Sequence, residues 1–333
     1  MKKIDILECT LRDGSYAINY QFTAEDTAKI ALALESVGFK YIEIGHGVGM
    51  NASSCKGRAA ETDEVYLKTA QKVLTKAKYG MFFIPGIGRK KDLDLAAKYG
   101  MSFVRVGTNV TEAEQAEKYI KYAKKIGMMV SSNLMKSYVL PPKKFAQKAK
   151  LVEKFGADTV VLVDSAGGML PVNIKEYIKA VKKVGVKAKI GFHGHNNFSL
   201  AIANILMAIE CGASVVDSTL MGIGRSAGNA PTEILVTVLK KMGYQLNIDI
   251  FKTMDSAEKL IKPLMKKCKG IDSIAITSGY AEFHSSFFEI ISKTAKKYHL
   301  DPRKLIVSVC EKEKVNVTEK LVIKIGKKLT GEL

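Results

Sequence analysis

Residues 159–195 read TVVLVDSAGGMLPVNIKEYIKAVKKVGVKAKIGFHGH. Thr159–Asp164 is a near-continuous apolar run, the pattern of a parallel strand covered on both faces, and it ends in a Gly-containing turn. Ile174–Val184 then repeats its apolar residues at helical spacing, Gly185 stops it, and Lys189–His193 is a second β-type run. The stretch is a strand–helix–strand unit of the kind that builds parallel sheets.

The same alternation runs outward in both directions. Ile4–Thr10, Tyr41–Gly45, Gly80–Pro85, Phe103–Thr108, Met128–Asn133 and Val215–Leu220 complete a set of eight strands. Helical patterns lie between them at Ala24–Val37, Val65–Lys78, Glu112–Ile126, Lys143–Phe155 and Leu200–Glu210. Eight units in roughly 240 residues match a (β/α)8 TIM barrel in number and size, with a doubly wound sheet as the structural rival. After Lys241-Met242-Gly243 the alternation stops, and Ile250–Lys267, Tyr280–Lys297 and Pro302–Glu313 read as helices without intervening strands. The expected architecture is a TIM-barrel catalytic domain over residues 1–245, followed by a small, mainly helical C-terminal domain over 246–333 that covers the barrel mouth.

Composition narrows the class. A chain of 333 residues, 47% hydrophobic and 26% charged, buries a large core, which excludes collagen-like, disordered and disulfide-scaffold proteins. No window approaches the roughly 18 apolar residues of a membrane helix, and Met1-Lys2-Lys3 leads into no signal-peptide stretch, so a cytoplasmic location is expected. Cys9, Cys55, Cys211, Cys268 and Cys310 are far apart and form no C-x-x-C pair, which speaks against disulfides and thiolate zinc. The net charge of +19 comes from dispersed lysines, many paired as in Lys124-Lys125, and no nucleic-acid motif accompanies them. The bland reading, a solvated Lys-rich surface, is preferred.

In a barrel, chemistry belongs at the C-terminal strand ends. Two stand out: Thr10-Leu11-Arg12-Asp13-Gly14-Ser15-Tyr16 after the first strand, and His193-Gly194-His195-Asn196-Asn197 at the seventh. His193 and His195 project to one face of extended backbone, and with Asp13 they supply two imidazoles and a carboxylate for a divalent cation, leaving positions for substrate. Taken singly, Asp13 is also a plausible turn former before Gly14, and Arg12 its surface ion-pair partner. The eighth strand leads into Met221-Gly222-Ile223-Gly224-Arg225-Ser226-Ala227-Gly228-Asn229-Ala230-Pro231. Although this holds G-x-G-x-x-A, no second Rossmann half follows and the Lys-Ser/Thr of a P-loop is missing. It suits a loop pressed against a small-molecule site, with Asn229 as a polar group.

These three motifs, in this order, resemble the signatures of the DRE-TIM metallolyases, and most closely those of the 4-hydroxy-2-oxovalerate aldolases, which are class II pyruvate aldolases. The likeness extends through Gly279-Tyr280-Ala281 and Ser285-Ser286-Phe287, and so covers almost the whole chain. It implies Asp13, His193 and His195 as ligands of a divalent metal, most often Mn2+ with Mg2+ or Co2+ as alternatives, and Arg12 beside the enolate oxygen. It further implies Ser165 as a contact of the pyruvate carboxylate, with Asn229 also on the substrate side. The implied reaction is reversible cleavage of a 4-hydroxy-2-oxo acid to pyruvate and an aldehyde. An acylating aldehyde dehydrogenase is the implied partner, and a homo-oligomer is compatible with it.

Two positions depart from the family. Tyr16 stands where these aldolases usually carry His, and His284 stands where they usually carry Tyr. The proton-transfer pair is thus exchanged between barrel and second domain, and either residue is a candidate base. A Claisen-type acyl-CoA/2-oxo acid synthase of the same superfamily is the nearest rival, but such enzymes carry Gly-Glu-Gln where Gly14-Ser15-Tyr16 stands. The 3-hydroxy-3-methylglutaryl-CoA lyases carry a loop cysteine that Gly222–Asn229 lacks. A non-catalytic barrel that binds nucleic acid or a protein partner is the rival from another class.

Overall fold

The computed structural model describes residues 4–267 and 271–331. Its eight strands are β1 (Asp5–Glu8), β2 (Tyr41–Glu43), β3 (Lys78–Phe83), β4 (Phe103–Asn109), β5 (Met129–Met135), β6 (Thr159–Asp164), β7 (Lys189–Gly194) and β8 (Val215–Ser218). Each pairs in parallel with its neighbours in sequence, and β8 returns to β1 with Leu7 opposite Asp217, which closes a TIM barrel. The helices α1 (Ala24–Val37), α2 (Asp63–Val73), α3 (Lys90–Lys98), α4 (Glu117–Lys125), α5 (Pro142–Lys154), α6 (Pro171–Lys183), α7 (Ala201–Cys211) and α8 (Thr232–Lys241) alternate with the strands. No described helix is long and apolar enough to cross a membrane.

Where element bounds differ from the sequence reading, local chemistry explains it. The helix expected over Val65–Lys78 ends at Val73, and Lys78 already belongs to β3. One Glu35 carboxylate oxygen accepts the backbone N–H groups of Thr75, Lys76 and Ala77, giving these donors a partner outside the helix. The pattern over Glu112–Ile126 divides into a 3-10 stretch, Val110–Ala116, and α4.

Beyond the barrel lie α9 (Ile250–Ser256), α10 (Ser273–Ala281), α11 (Phe288–Lys297), α12 (Pro302–Cys310) and α13 (Glu319–Thr330). The helix expected over Ile250–Lys267 loosens to a π turn after Ser256 and then tightens to 3-10 around Pro263, which has no N–H to continue an α-helix. Ile248, Ala257 and Ile261 pack into the barrel's own core, whereas Phe283, Ile291, Leu305, Ile306, Val309 and Val322 form a second one. The expected helix Tyr280–Lys297 is interrupted: Glu282 takes a left-handed conformation (φ 55°), which ends α10 and sends Phe283 into the second core. His284 then opens a separate turn, Ser285–Phe287, ahead of α11. Cys268 lies outside the described residues, as does Met1-Lys2-Lys3.

Candidate active site and metal centre

The chain turns sharply as it leaves β1. The N–H groups of Arg12 and Asp13 both donate to the Cys9 carbonyl, at 3.1 and 2.8 Å, and Asp13 begins a 3-10 turn that runs to Ile18. A side chain at Gly14 would stand 2.8 Å from the Ile223 methyl, so the turn needs glycine there to lie against the loop after β8. Arg12 and Asp13 are thereby buried at the mouth.

Asp13, His193 and His195 place one carboxylate oxygen and two ring nitrogens within 4.8 Å of one another. His193 Nδ1 lies 2.9 Å from Asp217 Oδ2, and His195 Nδ1 lies 3.1 Å from the Gly228 carbonyl. Both partners are acceptors, so each Nδ1 carries the proton and each Nε2 keeps a lone pair. His193 Nε2 faces Asp13 Oδ2 at 3.7 Å. A hard oxygen and two oriented imidazoles, each held from behind by an acceptor, fit a divalent cation. Burial alone would raise the Asp13 carboxyl, but the permanent charges of Arg12 and, beyond it, Arg225 outweigh burial and hold the group well below the usual carboxylate range.

Beneath these ligands runs a buried ion-pair chain that the motifs did not reveal. Arg12 donates through Nε to Glu43 Oε2 at 2.8 Å and through Nη1 to Asp13 Oδ2 at 2.6 Å. Glu43 also accepts from Arg105 at 2.7 Å, Arg105 donates to Asp217, and Asp217 holds His193. Charged residues inside apolar strands, as in Phe103-Val104-Arg105-Val106, were the available signal, because a charge is buried there only with a partner. The Cys9 thiol sits inside this chain, fully buried with Sγ 3.4 Å from Arg105, and burial followed by Glu43 and Asp217 pushes its pKa up.

One cavity of about 60 Å3 is lined by Arg12, Asp13, His193 and His195 together with Tyr16, Ser165, Arg225 and His284. It is therefore at this mouth that the side chains from the two ends of the sequence meet. Ser165 Oγ accepts the Lys136 N–H at 2.9 Å. Asn229 is not on the cavity wall, since its Nδ2 donates to Asp13 Oδ1 at 3.1 Å and steadies that carboxylate from behind. Burial pushes the Tyr16 phenol up, so it keeps its proton near neutrality. Burial at the mouth, then Arg225 and Lys136, press the half-buried His284 imidazole well below its ordinary pKa, so it is neutral there. Its Nδ1 accepts the Ser286 N–H at 3.3 Å and lies 2.7 Å from Ser286 Oγ, which donates to it, so the proton of the neutral ring sits on Nε2.

Residues 3–261 match the HMGL-like family model. The chain belongs to the HMGL-like family. Residues 269–331 match a DmpG-like communication domain. Among curated relatives, a 4-hydroxy-2-oxovalerate aldolase of Carboxydothermus hydrogenoformans is 44% identical over 99% of this chain and 98% of its own length. Another from Moorella thermoacetica is 43% identical over 98% of this chain and 97% of its own. Among solved structures, the N-terminal domain of a putative aldolase from Bacteroides vulgatus superposes with a TM-score of 0.75 at 27% identity, covering 89% of this chain and 98% of that one. The carboxyl transferase domain of Rhizobium etli pyruvate carboxylase, solved with pyruvate, gives 0.81 at 19% identity over 100% of this HMGL-like chain and 61% of its own, a likeness of fold alone.

Proposed function

We propose that this HMGL-like protein is a divalent-metal-dependent aldolase that reversibly cleaves a 4-hydroxy-2-oxo acid to pyruvate and an aldehyde. The observation that carries the reading is the convergence of a carboxylate, two Nε2 lone pairs, a buried guanidinium and a neutral imidazole on one cavity. A divalent cation held by Asp13, His193 and His195 would supply Lewis acidity to the 2-oxo group when bound; the mixed oxygen and nitrogen set with open positions is compatible with Mn2+, the ion that the family resemblance puts first, and with Mg2+ or Co2+.

The remaining work falls to the protein's own groups. The neutral His284 imidazole takes the proton of the 4-hydroxyl on the ring nitrogen that its tautomer leaves free, and the oxygen electron pair becomes the aldehyde C=O as the C3–C4 bond breaks. That bond pair moves into the enolate, whose oxygen charge Arg12 stabilises; Glu43 and Asp13 fix the guanidinium in advance, so it does not reorganise during the step. Protonation of C3, by the His284 imidazolium directly or through water, then gives pyruvate and restores the base. Ser165 contacts the pyruvate carboxylate, and Tyr16, still protonated, orients the hydroxyl. In this reading the base of the exchanged pair lies on the C-terminal side and the phenol on the barrel. In this reading the segment from residue 246 onward acts as the cover of the mouth.

The match of residues 269–331 supports an acylating aldehyde dehydrogenase as the protein partner that would receive the aldehyde. The test is direct. Mn2+-reconstituted protein is incubated with a panel of 4-hydroxy-2-oxo acids, and pyruvate is read with lactate dehydrogenase and NADH. Release of pyruvate that stops on chelation is expected, and its absence across the panel overturns the reading.

A further inference from the structure

Among the described residues, Arg225 is the one guanidinium at the mouth that lacks a carboxylate partner. Arg12 is tied to Asp13 and Glu43, and Arg105 to Glu43 and Asp217. Among the described residues no acidic side chain lies within ion-pair distance of Arg225; its Nη1 donates to Ser285 Oγ at 2.6 Å, and its Nη2 donates to the Ser165 carbonyl at 2.8 Å and lies 2.7 Å from His195 Nε2. That Nε2 has a single lone pair, which cannot serve both a metal and Arg225. Among the described residues Lys136 is a second cation with no carboxylate within ion-pair distance; it is buried, its Nζ donates to the Val315 carbonyl, and its pKa is pushed down to about 8 by burial and then by Arg225.

Position assigns this charge to one end of the substrate. Arg225 and Tyr16 line both the reaction cavity and a neighbouring one of about 560 Å3, which lies between the loop after β8 and the C-terminal helices. The small cavity accommodates little beyond the pyruvate half, so the substituent on C4 must extend toward the large one. Ser285, which Arg225 holds, follows His284, and His284 acts at the 4-hydroxyl. The guanidinium therefore reaches the C4 end through Nη1, while its Nη2 faces Ser165 and His195.

Resting on the aldolase reading, we propose that Arg225 recognises a second carboxylate, carried by the aldehyde half, and that the preferred substrates are dianionic 4-hydroxy-2-oxo acids. The planar fork of Arg matches a carboxylate, and an unpaired cation in a partly buried mouth discriminates against an uncharged isostere.

Two matched pairs test it: 4-hydroxy-2-oxoglutarate against 4-hydroxy-2-oxovalerate, and 4-hydroxy-2-oxoheptanedioate against 4-hydroxy-2-oxoheptanoate, each differing by carboxylate against methyl. The expected kcat/KM ratio favours the dianion by at least about tenfold in at least one pair, and Arg225→Gln lowers that ratio by about 30-fold, with Arg225→Lys in between. A ratio is independent of the folded fraction of a variant. A wild-type ratio at or below one in both pairs overturns the proposal, as does a ratio that Arg225→Gln leaves within threefold; the latter is what a contact to the pyruvate carboxylate would give. Calorimetric binding of 2-oxoglutarate against 2-oxovalerate, neither of which can be cleaved, reads the same preference without turnover. If nothing in the panel is cleaved, the aldolase reading fails, and this binding ratio still decides what Arg225 recognises.

Discussion

Replacing Asp217 by Asn removes the charge that joins Arg105 to His193 while keeping the size of the side chain. Both Asp217 and Arg105 are buried, so the guanidinium loses one of its two carboxylates in a place where water cannot substitute. Breaking a buried pair costs roughly 3–5 kcal/mol, and the retained Glu43 contact argues for the lower end, about 3 kcal/mol. At roughly 2–4 °C per kcal/mol for large domains, the melting temperature should fall by about 6–12 °C. The same change leaves His193 Nδ1 facing a neutral amide, and loss of such a supporting carboxylate lowers metal affinity by roughly 10- to 100-fold. Burial would raise the Asp217 carboxyl, but Arg105 and His193 outweigh it and hold its pKa below the ordinary value. The stabilisation it gives is therefore fully present above pH 4 and is lost only as pH falls through the depressed value, so the deficit of Asp217→Asn should be constant from pH 5.5 to 8. Mn2+ affinity, read from the paramagnetic resonance of the free ion, and thermal melts of the metal-free protein measure the two effects separately. A variant that binds Mn2+ within twofold of wild type and melts within 2 °C of it would refute the view that this chain braces the site.

Arg12→Lys should keep the fold but lower kcat by roughly 100-fold or more, because an ammonium cannot hold Glu43 and Asp13 together while facing an enolate; near-wild-type turnover would remove Arg12 from that role. His284→Ala should lower kcat by roughly 10²- to 10⁴-fold. Since the basic imidazole is lost only as pH falls through a value below 6.5, the wild-type kcat profile at saturating metal should be flat from pH 6.5 to 8 and bend below it, and that bend should be absent from the variant. An acidic limb unchanged in His284→Ala would hand the proton to another group. Gly168→Ala would set a methyl 2.1 Å from the Gly279 carbonyl, so α10 must yield. Because His284 follows α10, turnover should drop about tenfold or more while circular dichroism stays native, and unchanged kinetics would mean that the mouth tolerates the shift.

The barrel was legible because its strands are apolar and regularly spaced; all eight expected runs contain the observed strands or most of their residues. The Asp13, His193 and His195 cluster was legible because period-two alternation and strand-end position are local properties. Glu43, Arg105 and Asp217 were not identified, since each is a single charge in a different strand and only barrel closure makes them neighbours. Arg225 was quoted within its motif but given no task for the same reason: its partners Ser165 and Ser285 come from distant segments. The exchange of Tyr16 and His284 was visible in sequence, but its chemical sense depends on burial. That burial keeps the phenol protonated and the imidazole neutral. The break at Glu282 was missed because nothing in Tyr280-Ala281-Glu282-Phe283 forbids a helix; the pull of Phe283 into the second core decides it.

The thiol sealed at the centre of the ion-pair chain makes the protein its own reporter. Cys9 has no solvent exposure and an elevated pKa, so an alkylating reagent reaches it as thiolate only when the barrel wall parts. Cys55, on the surface, reacts at once and normalises the reagent in the same tube. The lag between the two modifications, followed by mass spectrometry on the cysteine-bearing peptides, is a clock for barrel opening under native conditions. Saturating metal or substrate should slow that clock without any need to observe catalysis.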